Sequence, residues 1–391
     1  MFKILKKSKI SNARLGLIKT AHGDIKTPFF MPDATRAVIK NLSSEDSRAL
    51  GLDGFVINTY HLYLQPGIEI IKKSGGAHNF MDWQGPILSD SGGYQVFSLL
   101  HKNKINGIIT NDKVVFKSPI NGARHELTPE KSIQIQFALG VDMMVVLDDC
   151  PPNNYTDNQI SQAVDRTVAW AERCLKEFNK QIKKHCLIGK KQPMLFAVIQ
   201  GGANKKLRQL CAEKLIKLGF DGYGFGARPI DNQGKFLKDV LQFTANLIPE
   251  NKLRFGLGIG LPEDIVNCAR MGWDMFDCVI PTREGRHGKL FFQKNKLSIN
   301  STILPQDFNF QKKYLKFYQT ININNAIYKK DFSSINFNSR LPILRQHSRA
   351  YLHHLFKIND PLAGRLASLN NLEFYSRLII EIRSMILADK I

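Results

Sequence analysis

No two of the six cysteines, Cys150, Cys174, Cys186, Cys211, Cys268 and Cys278, lie closer than ten residues. A CxxC-type zinc or redox pair is therefore excluded. Scattered thiols of this kind read as small buried apolar side chains rather than disulfide partners. Long apolar runs are also missing, and none approaches the roughly 18–20 residues that span a bilayer. Residues 1–7 are basic but lack an apolar core or a small-residue cleavage site, which argues against a secretory signal. The expectation is a cytoplasmic protein with no membrane partner. Acidic residues are scarce: 34 Asp and Glu face 55 Lys and Arg, a net charge of +21. Between residues 282 and 357 there are 14 basic and 3 acidic residues, or +11 of that total. Such an excess points to a polyanionic partner, because cations that neutralise phosphates release condensed counterions.

What is present is an ordinary globular composition, with 43% hydrophobic and 23% charged residues over 391 positions. Eight short apolar runs alternate with helical stretches, at 28–31, 54–59, 86–90, 142–149, 194–201, 222–227, 253–260 and 275–281. Most show no polar alternation, as expected of parallel strands buried on both faces. Thr128-Pro129-Glu130 reads as a helix start, Thr156 as the cap of a longer helix, and Pro262-Glu263-Asp264 as another start. The pattern predicts an α/β (β/α)8 TIM barrel, with a doubly wound open sheet as the alternative. Polar residues at the ends of several runs favour the barrel, because they would converge on one mouth: Asp90, Asp148, Asp149, Gln200 and Asp277.

Asp90 follows Leu88-Ser89 and precedes Ser91-Gly92-Gly93-Tyr94, so a strand delivers a carboxylate into a glycine turn. Asp277 stands inside Met275-Phe276-Asp277-Cys278-Val279-Ile280, where a charge is costly unless paired or used. Two strand-end carboxylates suit glycosyl chemistry, one attacking an anomeric carbon and one moving the proton. Other readings of the residues alone are metal binding, helix capping by Asp90, or an ion pair of Asp277 with Arg283 or Arg286.

The run from Asn58 through Gly67, then Asp90-Ser91-Gly92-Gly93-Tyr94-Gln95-Val96-Phe97-Ser98, resembles bacterial tRNA-guanine transglycosylase. So do Ile199-Gln200-Gly201-Gly202, the run from Met275 through Arg283, and Ser348-Arg349-Ala350-Tyr351-Leu352-His353-His354-Leu355-Phe356. The resemblance runs from about residue 12 to 380. It implies a barrel over 1–290, a basic inserted subdomain at 291–347 and C-terminal helices at 348–391. It implies exchange of guanine at the tRNA wobble position for a 7-deazaguanine (preQ1, preQ0 or queuine), in tRNA with a GUN-type anticodon, and a possible homodimer. By motif, Asp277 resembles the nucleophile and Asp90 the general acid/base. Asp148, Gln200, Gly226, Ala227, Arg228, Tyr94 and Leu257 fall at base-binding positions. Arg283, Arg286 and Lys289 fall where the anticodon loop is held. A catalytically silent tRNA-binding paralogue and a glycosidase acting on free sugars are the competing readings.

Two departures stand out. The family's Cys-x-Cys-x-x-Cys and His zinc ligands align with Ser339, Leu341, Leu344 and Asn370, so no zinc and no other cofactor is expected. Where the family usually reads Gly-Gly-Leu-Ala-Val-Gly-Glu, this chain reads Gly226-Ala227-Arg228-Pro229-Ile230-Asp231-Asn232. An insertion near 293–319 mixes Phe308, Phe310, Tyr314, Phe317 and Tyr318 with lysines, which suits either RNA stacking or packing in place of the metal.

Overall fold

The computed structural model describes residues 2–102, 107–152, 154–231, 233–294 and 317–391. Eight parallel strands form one sheet: β1 (Phe29–Pro32), β2 (Phe55–Asn58), β3 (Ile87–Asp90), β4 (Met143–Val145), β5 (Met194–Ile199), β6 (Gly222–Phe225), β7 (Leu253–Gly256) and β8 (Met275–Cys278). From β2 to β8 each strand pairs with the next in sequence, and β8 pairs with β1. A parallel bridge from Asp33 to Val56, with Ala34 N donating to Val56 O at 2.7 Å, joins β1 to β2. The sheet is a (β/α)8 barrel, as the run spacing predicts.

Alternate residues of the strands fill the barrel: Phe29, Met31, Val56, Leu88, Met143, Val145, Phe196, Val198, Phe255 and Met275 are all buried in one interior cluster. Strand β6 contributes glycine at its inward positions. A Cβ on Gly222 would meet the Phe196 ring at 2.5 Å, and one on Gly224 would meet Leu257 at 2.3 Å. These bare positions give the large neighbours room. A three-stranded antiparallel sheet, Phe2–Lys7, Arg14–Thr20 and Gly23–Thr27, adds Ile18 and Ile25 to the same interior cluster. The sequence reading gave no strands there.

Seven of the strands are shorter than their apolar runs, three of them by three residues or more. β4 ends at Val145, β7 at Gly256 and β8 at Cys278. After β8 the chain turns straight into a helix, Ile280–Arg286, in which Pro281 occupies the first turn, where its missing N–H costs nothing. The expected helix caps are present. Thr128 Oγ1 accepts the Lys131 amide at 3.1 Å, and Thr156 forms a reciprocal capping box with Gln159.

Beyond the barrel, Lys289–Gln293 pairs antiparallel with Tyr318–Asn322. The long helix Pro361–Leu387 buries Leu366, Leu369, Leu372, Tyr375, Leu378 and Ile379. Its Asn371 fixes the hairpin, donating to Lys289 O at 2.9 Å and accepting from Phe291 N at 2.9 Å. Of the aromatic residues in the insertion, Phe308, Phe310 and Tyr314 lie outside the described residues. Phe317 is buried, and Tyr318 stacks on Phe291 and donates to Glu263 Oε2 at 2.7 Å. Among the described residues no helix is long and apolar enough to cross a membrane.

Candidate active site

The barrel brings Asp90 and Asp277 to the same C-terminal rim, at the ends of β3 and β8. Asp90 accepts from Asn58 Nδ2 at Oδ2, 2.5 Å, and from the Thr59 and Gly92 amides at Oδ1, 3.1 and 3.0 Å, and the Gln95 side chain also favours its charged form. Gly92 has φ +77°, and a Cβ there would meet the Tyr60 amide at 2.9 Å. Only glycine can aim that amide at the carboxylate. Burial opposes these donors and outweighs them, pushing Asp90 up to about 7.

Asp277 forms no ion pair with Arg283 or Arg286, and Arg283 lies against Glu284 at 3.5 Å instead. Its Oδ1 accepts the Gly258 amide at 2.9 Å. Burial raises its carboxyl above the ordinary carboxylate range. The rim holds a third carboxyl that the sequence reading passed over. Asp33, just past β1, is raised well above the usual range by burial and by the charges of Asp277 and Asp90.

Beside them the ends of β4, β5 and β6 carry a buried polar cluster. Gln200 Nε2 donates to Asp148 Oδ2 at 2.7 Å, and Gln200 Oε1 is buried with no partner among the described residues. Burial pushes Asp148 up to about 7. Gly226 backs onto Gln200 so closely that a Cβ would sit 2.5 Å from its side-chain carbonyl carbon. The Gly226 amide is committed to Ile199 O at 2.9 Å. Ala227 holds φ 73° and directs its amide to the Cys150 thiol. Leu257 packs against the barrel interior, and Tyr94 is half-exposed at the rim.

Arg208, fully buried, ties these strand ends together. It donates to Gly202 O at 2.7 Å, Ile199 O at 3.0 Å and Gly226 O at 2.9 Å, and stacks on Phe225 at 3.9 Å. Nothing in its helical run marked it, because its partners are backbone carbonyls of two other loops. Burial raises the Tyr94 phenol, and the charge of Arg228, exposed nearby, opposes that rise. Arg228 makes no ion pair among the described residues. The Asp231 carboxylate is taken by the Gln233 and Lys235 amides of its own loop, at 2.9 and 2.8 Å. Arg283, Arg286 and Lys289 lie on or just after the helix that follows β8, with Lys289 and Arg283 both 3.5 Å from Glu284.

The four positions aligned with zinc ligands do not fit a metal. Ser339 donates its hydroxyl to Glu373, Leu341 and Leu344 are buried and offer no donor atom, and Asn370 binds Asn336 Nδ2 at 2.9 Å and Phe291 O at 3.0 Å. Arg340 and Arg377 complete the cluster around Glu373, at 3.6 and 2.8 Å.

Residues 9–391 match the family model described as queuine tRNA-ribosyltransferase. The chain is 39% identical over 390 residues to the queuine tRNA-ribosyltransferase of Thermoanaerobacter pseudethanolicus, covering all of this chain and 94% of that one. It is 38% identical to that of Halothermothrix orenii, covering 99% and 94%, and 37% identical to that of Staphylococcus haemolyticus, covering 99% and 92%.

Proposed function

Because the chain belongs to the queuine tRNA-ribosyltransferase family and is a pentosyltransferase, we propose that its site exchanges guanine at the wobble position of tRNA with a GUN anticodon for a 7-deazaguanine. The observation that carries this reading is the pair of rim carboxylates, Asp277 anchored on a backbone amide and Asp90 poised near neutral pH. In the first half-reaction an Asp277 carboxylate oxygen forms a bond to ribose C1′ as the C1′–N9 bond breaks. The electron pair stays with guanine, which takes a proton from Asp90. In the second, Asp90 accepts a proton from the incoming base, whose nitrogen attacks C1′ and releases Asp277. One N-glycosidic bond replaces another, so no external energy source is required.

Asp148 accepts from the N1–H and 2-amino edge of the base. Gln200, released from Asp148, gives an N–H to the base carbonyl. Tyr94 covers one face of the ring and Leu257 the other. Arg283, Arg286 and Lys289 hold the splayed anticodon loop.

The test is a tRNA-dependent guanine-exchange assay with a denaturing gel for the RNA–protein adduct. Wild type should exchange guanine and form the adduct. Asp277→Asn should lose both while keeping RNA affinity, and Asp90→Asn should lose turnover. Near-normal exchange by Asp277→Asn would sink the nucleophile assignment. RNA binding without exchange in wild type would favour a silent paralogue.

A further inference from the structure

Going round the rim, Asp277 stands on β8, Asp33 just past β1, Asn58 on β2 and Asp90 on β3. Asp33 therefore lies between the strands that carry the two reacting carboxylates. Phe29 and Met31 belong to the barrel interior, while Phe30 lies in the outer core. The bridge from Asp33 to Val56 keeps the chain extended, so the alternation continues and turns the Asp33 side chain inward. Asp277 and Asp90 each take backbone amides, but the Asp33 carboxyl has no hydrogen-bond partner among the described residues. Burial, with the charges of Asp277 and Asp90, raises its carboxyl well above the usual range, which favours the uncharged form. An uncharged carboxyl can both donate and accept.

If glycosyl transfer runs between Asp277 and Asp90, as proposed above, the ribose lies between them, over Asp33. The 3′ and 5′ oxygens of an internal nucleotide are locked in phosphodiesters. Its one free hydroxyl is the 2′-OH, on the carbon next to C1′. We propose that Asp33 is a specificity-determining residue that hydrogen-bonds the 2′-hydroxyl of the nucleotide whose base is exchanged, so that the site prefers ribose to deoxyribose there. A polar side chain that satisfies a substrate hydroxyl is left unpaired when that hydroxyl is missing, which is what makes such contacts discriminating.

The experiment uses two anticodon stem-loop RNAs that differ only in carrying guanosine or 2′-deoxyguanosine at the exchanged position. kcat/KM is measured for both with wild type, Asp33→Val, Asp33→Ala and Asp33→Asn. Wild type should favour the ribonucleotide by about three- to tenfold, the span of one net hydrogen bond. Asp33→Val and Asp33→Ala should bring the ratio close to one, chiefly by losing activity on the ribonucleotide. Asp33→Asn should keep most of the preference, since its amide still donates. The ratio is internal to each preparation, so a misfolded fraction cancels. An unchanged ratio in Asp33→Val and Asp33→Ala, or no preference in wild type, overturns the assignment of Asp33 alone. Failure of wild type to form an Asp277-dependent adduct with either RNA overturns the transglycosylase reading, and this inference with it.

Discussion

Asn58 donates from Nδ2 to Asp90 Oδ2 at 2.5 Å while its own Oδ1 accepts the His61 amide at 3.0 Å. One side chain thus caps the helix Thr59–Leu64 and fixes the carboxyl proposed as general acid and base. The end of β2 cannot shift without moving Asp90.

This contact predicts a pH profile. The first half-reaction needs Asp90 protonated, so kcat/KM should fall as pH rises through about 7. It also needs Asp277 ionised, so the rate should fall on the acid side, beginning above the ordinary carboxylate range because burial raises that group. Asn58 stabilises the charged form of Asp90. Asn58→Ala should therefore move the alkaline limb to higher pH, by roughly one unit if one charge-assisted hydrogen bond is lost. An alkaline limb that stays put in Asn58→Ala would separate it from Asp90.

The same carboxyls should destabilise the free enzyme. Asp90 and Asp148 have folded pKa values of about 7, above their ordinary value of 3.8. Between about pH 4 and 7 the folded state keeps protons that the unfolded chain has released, so this contribution lowers stability as pH rises through that window. Asp90→Asn and Asp148→Asn should each melt a few degrees above wild type at pH 7.5, on the order of 1–2 °C per kcal/mol for a chain this long. The gain should vanish near pH 4. Calorimetry at both pH values checks it, and a lower melting temperature for both variants at pH 7.5 would reverse the argument.

The Ser339–Glu373 and Asn370–Asn336 bonds occupy positions that the motif resemblance aligns with zinc ligands. Purified protein is expected to carry well under one zinc per chain by elemental analysis, and EDTA should leave its melting temperature unchanged. Glu373→Ala should destabilise the fold by about 1–3 kcal/mol, since it strands the buried Ser339 hydroxyl and the Arg340 amide. Stoichiometric zinc would place the metal on other residues.

At the base-binding position proposed from its motif, Arg228 should bear on which base is inserted. It makes no ion pair with Asp231, and it lies near Tyr94. A cationic aminomethyl substituent should be disfavoured there relative to a neutral nitrile. Solvent screening of this exposed side chain limits the effect to about three- to tenfold. Comparing kcat/KM for each base in wild type and Arg228→Leu measures it. A wild-type preference for the aminomethyl base that Arg228→Leu leaves unchanged removes electrostatics as a cause.

The sequence by itself determined the eight strand runs, the helix starts at Thr128, Thr156 and Pro262, and the carboxylates at strand ends, because hydrophobic periodicity and capping act over neighbouring residues. Motif order was enough to single out Asp90 and Asp277. Only the tertiary structure decided that Asp33 stands between them, because β1 meets both β8 and β2 only where the barrel closes, some 245 residues apart in sequence at one seam. The same holds for Arg208, whose three carbonyl partners come from the ends of two neighbouring strands, and for Asn370 and Glu373, which take hydrogen bonds from residues 34 positions away. Protonation followed the same division. The sequence placed the carboxyls, but desolvation and neighbouring charge, which exist only once the chain has closed around them, decide which of them keep a proton.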